Sequence, residues 1–247
     1  MTEYTLEDLA AAQQALMQAN ERMDNHRKAN PTKHMADASR ALVEVYDITL
    51  ALKRSGLIPR TPAEEISWQL DQKHPDAESK QVAVLEGRLY QKRFTPVATS
   101  NSGKTVLRWG HAWAPLPKPD PPVDGAPPVF TFGSNRSGRH GKGAALFAAM
   151  ERGAVAGIGE GHVGNAYALP TKLTPRETLP LPMIERHVQT FLAYAEASPQ
   201  YTFQVTPIGC GLAGYTPEQI APFFADAPDN CQLPEEFLAV LSDRPRP

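Results

Sequence analysis

This 247-residue chain is short of the features that mark several protein classes. It has two cysteines, Cys210 and Cys231, too few for a disulfide framework, and they read as free thiols. No apolar run approaches the ~20 residues that cross a bilayer, which argues against a membrane protein. Neither sign of charge is in excess: Lys+Arg number 25 against 27 Asp+Glu, a formal net charge of −2. That balance argues against nucleic-acid or anionic-membrane binding by bulk electrostatics, but it leaves room for a local anion site. The opening "MTEYTLEDLAAAQQ" carries acids early and lacks a basic n-region followed by an apolar h-region, so an uncleaved, cytoplasmic chain is expected. Histidine and cysteine show no metal-ligand spacing, so neither a metal nor another cofactor is expected.

What is present is proline and glycine in telling places. Of 24 prolines, seven fall in "APLPKPDPPVDGAPP", residues 114–128, which reads as an extended, semi-rigid linker. It separates an N-terminal region, 1–113, from a module at 129–247. In the first region, 5–29 and 32–56 are expected to be helical. Thr5 caps the first, and Leu6, Leu9, Leu16 and Met23 recur along it. Asn30-Pro31 punctuates, and Ser55-Gly56 ends the second. Thr61-Pro62-Ala63-Glu64 opens a third helix containing Trp68. From Gln81 the period falls to two: "QVAVLEGRLYQKRF" and "KTVLRWGHAW" predict two strands joined around Ser100–Gly103. The segment "ATSNSGKT", 98–105, matches a relaxed phosphate-loop pattern. It runs into alternating, strand-like residues instead of a helix, so a hairpin turn is predicted.

After the linker, short apolar strands alternate with glycine turns and helices, the pattern of an α/β fold. Strands are expected at 129–132, 165–170 and 201–209. Helices are expected at 143–152, around Ile184, Val188, Phe191, Leu192 and Ala195, and at 217–225. Two loops carry the chemistry. The first lies in "FGSNRSGRHGKGAAL", 132–146, with four glycines and four basic or imidazole side chains between a strand and an alanine-rich helix. The second, "IGCGLAGYTPEQI", 208–220, repeats strand, glycine turn and helix, and Thr216, Pro217 and Gln219 signal the helix start. In an α/β sheet both would emerge at the carboxyl edge and clamp a diphosphate with backbone N–H groups and helix N-termini.

"FTFGSNRSGRHGKGAAL" followed by "IGCGLAGY" resembles the macrodomains, which bind ADP-ribose, and is closer to the branch with Gly-Lys-Gly and Gly-Cys-Gly loops. The stretch "GEGHVGNAYALPTK" between the loops is similar to uncharacterised bacteriophage-encoded proteins with the same loop pair. The resemblance covers about Val129 to Leu233. It implies a macrodomain-like mixed sheet flanked by helices and preceded by a helical and β-hairpin region, all within the α/β class. It also implies a nucleotide ligand, ADP-ribose or a derivative. Gly133, Ser134 and Asn135 would enter the site, with Asn135 on the distal ribose. Gly138, Gly141 and Gly143 would line the ribose and phosphate side. Gly209, Cys210, Gly211, Leu212, Ala213, Gly214 and Tyr215 would wrap the diphosphate, with Tyr215 placed to stack on a sugar or base. Lys142 matches a candidate catalytic lysine. The acid with which the family reads the adenine amino group would fall in the linker, where Asp120 and Asp124 are weak substitutes.

Hydrolysis of an ADP-ribosyl linkage would use Asn135 to hold the ribose, Lys142 to stabilise the departing anion and His140 to shuttle a proton. Sequestering a nucleotide without turnover is the alternative, and an interaction protein with purely structural glycine loops is a third reading. His162 reads as a surface or lid residue, Glu160 as the acid best placed to act as a base, and His187 as solvated. Cys210 lacks a specified base and reads as a small packing side chain. Trp68, Trp109 and Trp113 read mainly as core. With Lys92, Arg93, Lys104 and Arg108 they would otherwise form a patch for a nucleic acid or for a protein partner of the N-terminal region.

Overall fold

The computed structural model describes residues 4–26 and 32–243. The expected end of the first helix at 27–29 and the Asn30-Pro31 break lie outside the described residues. The described residues form two compact units: those up to Ser79 with Lys92–Trp113, and Lys80–Gln91 with those from Ala114 onward. The division is therefore not the linear one expected from the proline-rich stretch, because residues 80–91 group with the C-terminal segment.

The first unit begins with α1 (Leu6–His26) and α2 (Met35–Ser55), the latter ending at Gly56 in the left-handed conformation. The next helix, α3 (Pro62–Lys73), starts as its sequence dictates. Thr61 accepts from the Glu64 N–H, and the Glu64 carboxylate accepts from the Thr61 N–H in return. The stretch expected as one strand from Gln81 is two, β1 (Val82–Leu85) and β2 (Arg88–Thr99), paired antiparallel over residues 82–91, which belong to the second unit. The chain reverses at Glu86-Gly87, where both residues have positive φ, as a two-residue hairpin requires. A third strand, β3 (Val106–Pro115), follows the Ser100–Gly103 turn. There Gly103 N–H donates to Ser100 O and Ser100 N–H to Thr105 O, both at 2.8 Å, so this Gly-Lys stretch is a hairpin turn.

Of the three tryptophans, only Trp113 is core. Its indole N–H donates to Asp71 at 2.8 Å, whereas Trp68 and Trp109 are exposed. The expected basic patch is partly spent internally. Lys92 is buried against Asp71, and Arg108 pairs with Asp47 at 2.7 Å. Burial raises the Asp71 carboxyl pKa, but bonds from Lys92, Trp113 and His111 outweigh it and hold the group below its ordinary value.

The second unit is built on a mixed sheet. Its central strand, β4 (Val129–Asn135), lies parallel to both β6 (Ala166–Thr174) and β8 (Phe203–Val205). Beyond β8 lies β9 (Cys231–Gln232), also parallel. Two short strands, β5 (Gly161–Val163) and β7 (Glu177–Thr178), pair antiparallel with β6. The main path runs β5-β6-β4-β8-β9. Alternate residues face opposite sides, so one set of strands feeds two different cores. On one side Phe132, Ala166 and Ala168 pack on Ala145 and Ala148 of α4 (Gly143–Glu151). On the other, Tyr167, Leu169, Phe203 and Val205 join Ile184, Val188 and Phe191 of α5 (Leu181–Glu196). The fold class is thus α/β, a mixed sheet flanked by helices. No helix among the described residues is long and apolar enough to cross a membrane.

Three polar residues expected at the surface or near the ligand belong instead to the α5 side of the sheet. His162 is on β5 and buried, with Nδ1 3.0 Å from the Tyr194 hydroxyl. Burial drives its pKa down to about 4, only partly offset by a backbone hydrogen bond at Gly164, so the ring is neutral. His187 is buried as well, its Nδ1 2.8 Å from Glu160 Oε1, and Glu160 is only 2% exposed. The pairing explains the misreading: each polar side chain finds its partner from a distant segment, so polarity alone does not indicate exposure.

The C-terminal helix expected at 217–225 is a single α turn, α6 (Pro217–Ile220), followed by a 3₁₀ turn at Ala221–Phe224. The Gln219 side chain accepts from the Thr216 N–H at 3.0 Å, so the start signal is real although the helix is short. The chain closes with α7 (Glu235–Ser242), packed near Phe224 through Phe237.

Candidate functional site

Parallel β4, β6 and β8 all end at the same edge of the sheet, so the segments that follow them are brought together there. A cavity of about 590 Å³ opens at this edge, and all of its lining comes from the second unit. One wall is the end of β4 and the first loop: Gly133, Ser134, Asn135, Arg139 and Gly141 through Ala145. The opposite wall is Thr206 through Gly209 with Gly211, Leu212 and Ala213. A third wall, Thr171, Lys172, Pro175 and Arg176, comes from the end of β6 and the turn to β7.

The first loop is held by Asn135. Its Oδ1 accepts from the Ser137 hydroxyl and from the Arg139 N–H at 3.1 Å, and its Nδ2 donates to Arg139 O at 2.7 Å. Asn135 therefore lines the cavity with most of its polar valence already committed to the loop, which makes it a positioning residue for this wall. The Ser134 hydroxyl is likewise committed, donating to Gly159 O. Gly138 does not reach the cavity. A Cβ there would stand 2.4 Å from the Gly157 carbonyl carbon, so this glycine lets two backbones touch. His140 is also outside the lining. Its Nε2 lies 3.2 Å from both Val155 O and Ile158 O, and its ring stands edge-on to Phe132. The expected proton shuttle is thus tied to backbone carbonyls beside the loop.

In the second loop Gly209, Gly211, Leu212 and Ala213 line the cavity, whereas Cys210, Gly214 and Tyr215 do not. Tyr215 donates its hydroxyl to Leu179 O at 2.6 Å and packs on the large core, so its ring is not the expected stacking platform. Burial raises the Cys210 thiol pKa, with the carboxylates of Glu236 and Glu218 adding to the effect. The thiol is protonated at neutral pH, as befits a packing residue. Two side chains tether this loop to the third wall: Lys172 Nζ donates to Leu212 O at 3.1 Å and Thr178 Oγ1 to Ala213 O at 3.3 Å.

Two features define what the cavity can hold. The first is backbone. As the first residues of α4, Gly143, Ala144 and Ala145 have N–H groups without intrahelical acceptors, and all three line the cavity. The N–H groups of Gly209, Gly211, Leu212 and Ala213 donate to no acceptor among the described residues. The second is charge. The ionisable lining side chains are Arg139, Lys142, Lys172 and Arg176, with no carboxylate among the described residues. Asp120 and Asp124 are not in the lining, so neither provides an acidic reader within the cavity. Free backbone donors on the two loop walls and cations on the first and third walls create a focused positive potential suited to an anion.

The third wall escaped the sequence reading. The signal lay in "YALPTK": as a parallel neighbour of β4, this strand had to deliver Thr171 and Lys172 to the same edge as the first loop. Compared with protein-family models, with curated proteins and with solved structures, the chain matches none.

Proposed function

We propose that the second unit binds ADP-ribose or a related nucleotide, with the diphosphate seated between the two glycine loops. What supports this reading most is the convergence of unspent backbone N–H groups from Gly143–Ala145 and Gly209–Ala213 on one cavity that has basic side chains and no acid. The glycines of the lining suit that role. A Cβ at Gly211 or Gly141 meets nothing within 4 Å, so neither glycine is required by packing, and both leave backbone open to a ligand.

The lining favours binding without turnover over hydrolysis. Its ionisable groups are two lysines and two arginines, with no carboxylate or histidine in the lining to take a proton from water. Lys142 then acts as a phosphate-facing cation. The test is titration calorimetry of the full chain with ADP-ribose, together with Gly211→Val. Binding should be lost by about a hundredfold or more, because a β-branched side chain occupies the space where phosphate must meet backbone, while the melting temperature stays unchanged. Unchanged affinity in folded Gly211→Val would remove the second loop from the site. Release of ADP-ribose from an ADP-ribosylated substrate by wild type, lost in Lys142→Ala, would establish hydrolysis instead.

A further inference from the structure

We propose that the exposed aromatic face of the β2–β3 hairpin docks the proline-rich segment of a second copy of this chain. This surface is separate from the cavity and does not depend on the nucleotide reading.

β2 and β3 are neighbours in their sheet, and one face of the pair is covered by α2. There Arg108 pairs with Asp47, and a Cβ at Gly110 would stand 2.8 Å from the Tyr46 hydroxyl. Two ring contacts mark the opposite face: Lys92 lies over the Trp113 ring at 5.3 Å, and the Phe94 and His111 rings are 5.7 Å apart. Alternation adds Pro96, Leu107 and Trp109 to it.

Lys92 and Trp113 are buried and joined to Asp71 of α3, but beyond them the face is bare. Phe94 is 40% exposed, Leu107 48% and Trp109 50%. Lys92, its one basic side chain besides His111, is spent on Asp71, so the face lacks the cations with which a nucleic acid's phosphates are held. Whereas the Trp113 indole donates to Asp71, the Trp109 indole N–H donates to no acceptor among the described residues. Rings with a free donor suit an apolar ligand that is rich in carbonyls and poor in N–H groups. An extended proline-rich strand is such a ligand.

The chain carries that ligand in residues 115–123. Leu116, Lys118, Asp120 and Pro121 each precede a proline, which confines them to extended backbone, and each proline fixes its own φ. Tethers hold the segment: Leu116 N–H donates to Leu89 O at 2.9 Å, the Tyr201 hydroxyl to Asp120 O at 2.8 Å, and Asn165 Nδ2 to Pro127 O at 3.2 Å. Leu116 is buried, while Pro117, Lys118 and Pro121 are exposed and Val123 is 73% exposed. Prolines and tethers have already ordered this ridge, so docking it costs little conformational entropy. An aromatic face and a proline ridge, both exposed on one chain, are complementary, and a second copy provides the partner of each.

The test combines sedimentation of the full chain over a range of concentrations with calorimetric titration of a synthetic peptide of residues 114–128. Wild type should self-associate weakly and reversibly, as a contact of this small size does, and should bind the peptide. Trp109→Ala and, separately, Pro117→Ala/Pro121→Ala should each weaken self-association by about tenfold or more. All three positions are exposed, so both variants should keep the wild-type melting temperature. Peptide binding should be lost in Trp109→Ala and kept in the proline variant. A mixture of the two variants should associate where neither does alone, because one keeps the segment and the other the face. A wild-type chain that stays monomeric at every concentration would overturn the proposal, as would self-association that survives both variants. Peptide binding without self-association would assign the face to another proline-rich partner and overturn the second copy as its occupant.

Discussion

The two glycine loops that frame the cavity look alike in sequence and are held in different ways. The first is braced from within: Asn135 ties Ser137 and Arg139 together, Gly138 presses on Gly157, and the His140 ring is anchored to two carbonyls. The second closes on itself through backbone alone, with Gly214 N–H donating to Gly211 O and Tyr215 N–H to Gly209 O at 3.0 Å, and its two side-chain ties come from outside the loop, Lys172 to Leu212 O and Thr178 to Ala213 O. The same composition is therefore braced by side chains of its own loop on one side and by side chains of the β6–β7 segment on the other. A wall fixed before a ligand enters lowers the ordering cost of binding.

The largest effect should come from breaking the braced wall's backbone contact. Gly138→Ala places a Cβ 2.4 Å from Gly157 C and 2.6 Å from Ile158 N, on a residue with φ of 67°. Neither neighbour is a flexible side chain, so a loss of about 3 kcal/mol or more is expected in denaturant unfolding. The equivalent change at Gly141 or Gly211, where nothing lies within 4 Å, should cost under about 1 kcal/mol.

An effect of nearly that size should appear on acidification, from buried His162 on the α5 side of the sheet. The folded-state pKa of His162 is about 4, against an ordinary 6.5. Between those values the unfolded chain binds a proton that the native state refuses. The stabilisation is fully present above pH 6.5 and is lost as pH falls toward 4, at about 1.4 kcal/mol per pH unit and about 3 kcal/mol in all. Unfolding curves across this window should show that slope, and His162→Gln should flatten it. A slope unchanged in the variant would assign the acid sensitivity to other groups.

A smaller effect sharpens the contrast between the walls. Asn135→Ala removes the brace, leaving the Arg139 N–H and the Ser137 hydroxyl without this partner, and should cost about 1–3 kcal/mol of stability. Because the residue acts through the loop, ligand affinity should fall chiefly through slower association, read by stopped-flow mixing. If dissociation alone accelerates, Asn135 holds the ligand directly.

Much of the local architecture was legible. The Thr61–Glu64 capping box, the Gly56 stop, the Ser100–Gly103 turn and the strands leading into both loops follow from signals that act over four or five residues. The same reasoning failed where partners are distant. Around Glu86-Gly87 the local alternation runs on like a continuous strand, and only the pairing of Val82 with Gln91 makes a hairpin there. The polarity of Glu160, His162 and His187 is local information that points to the surface, whereas the partners with which they are buried lie far along the chain.

The site divides in the same way. The chain's own code specified that each loop would be a glycine turn at the end of a strand, since backbone freedom and helix starts are short-range matters. Which loop residues would face the cavity depended on packing. Gly133, Gly141 and Gly211 open onto it, while Gly138, His140 and Tyr215 are used up in holding the loops. The basic third wall exists only because parallel pairing of β4 with β6 carries Lys172 and Arg176 to the edge reached by Asn135 and Lys142. Hydrogen bonding along a sheet is indifferent to sequence separation, so a charge cluster assembled by strand order leaves no mark in any one stretch of residues.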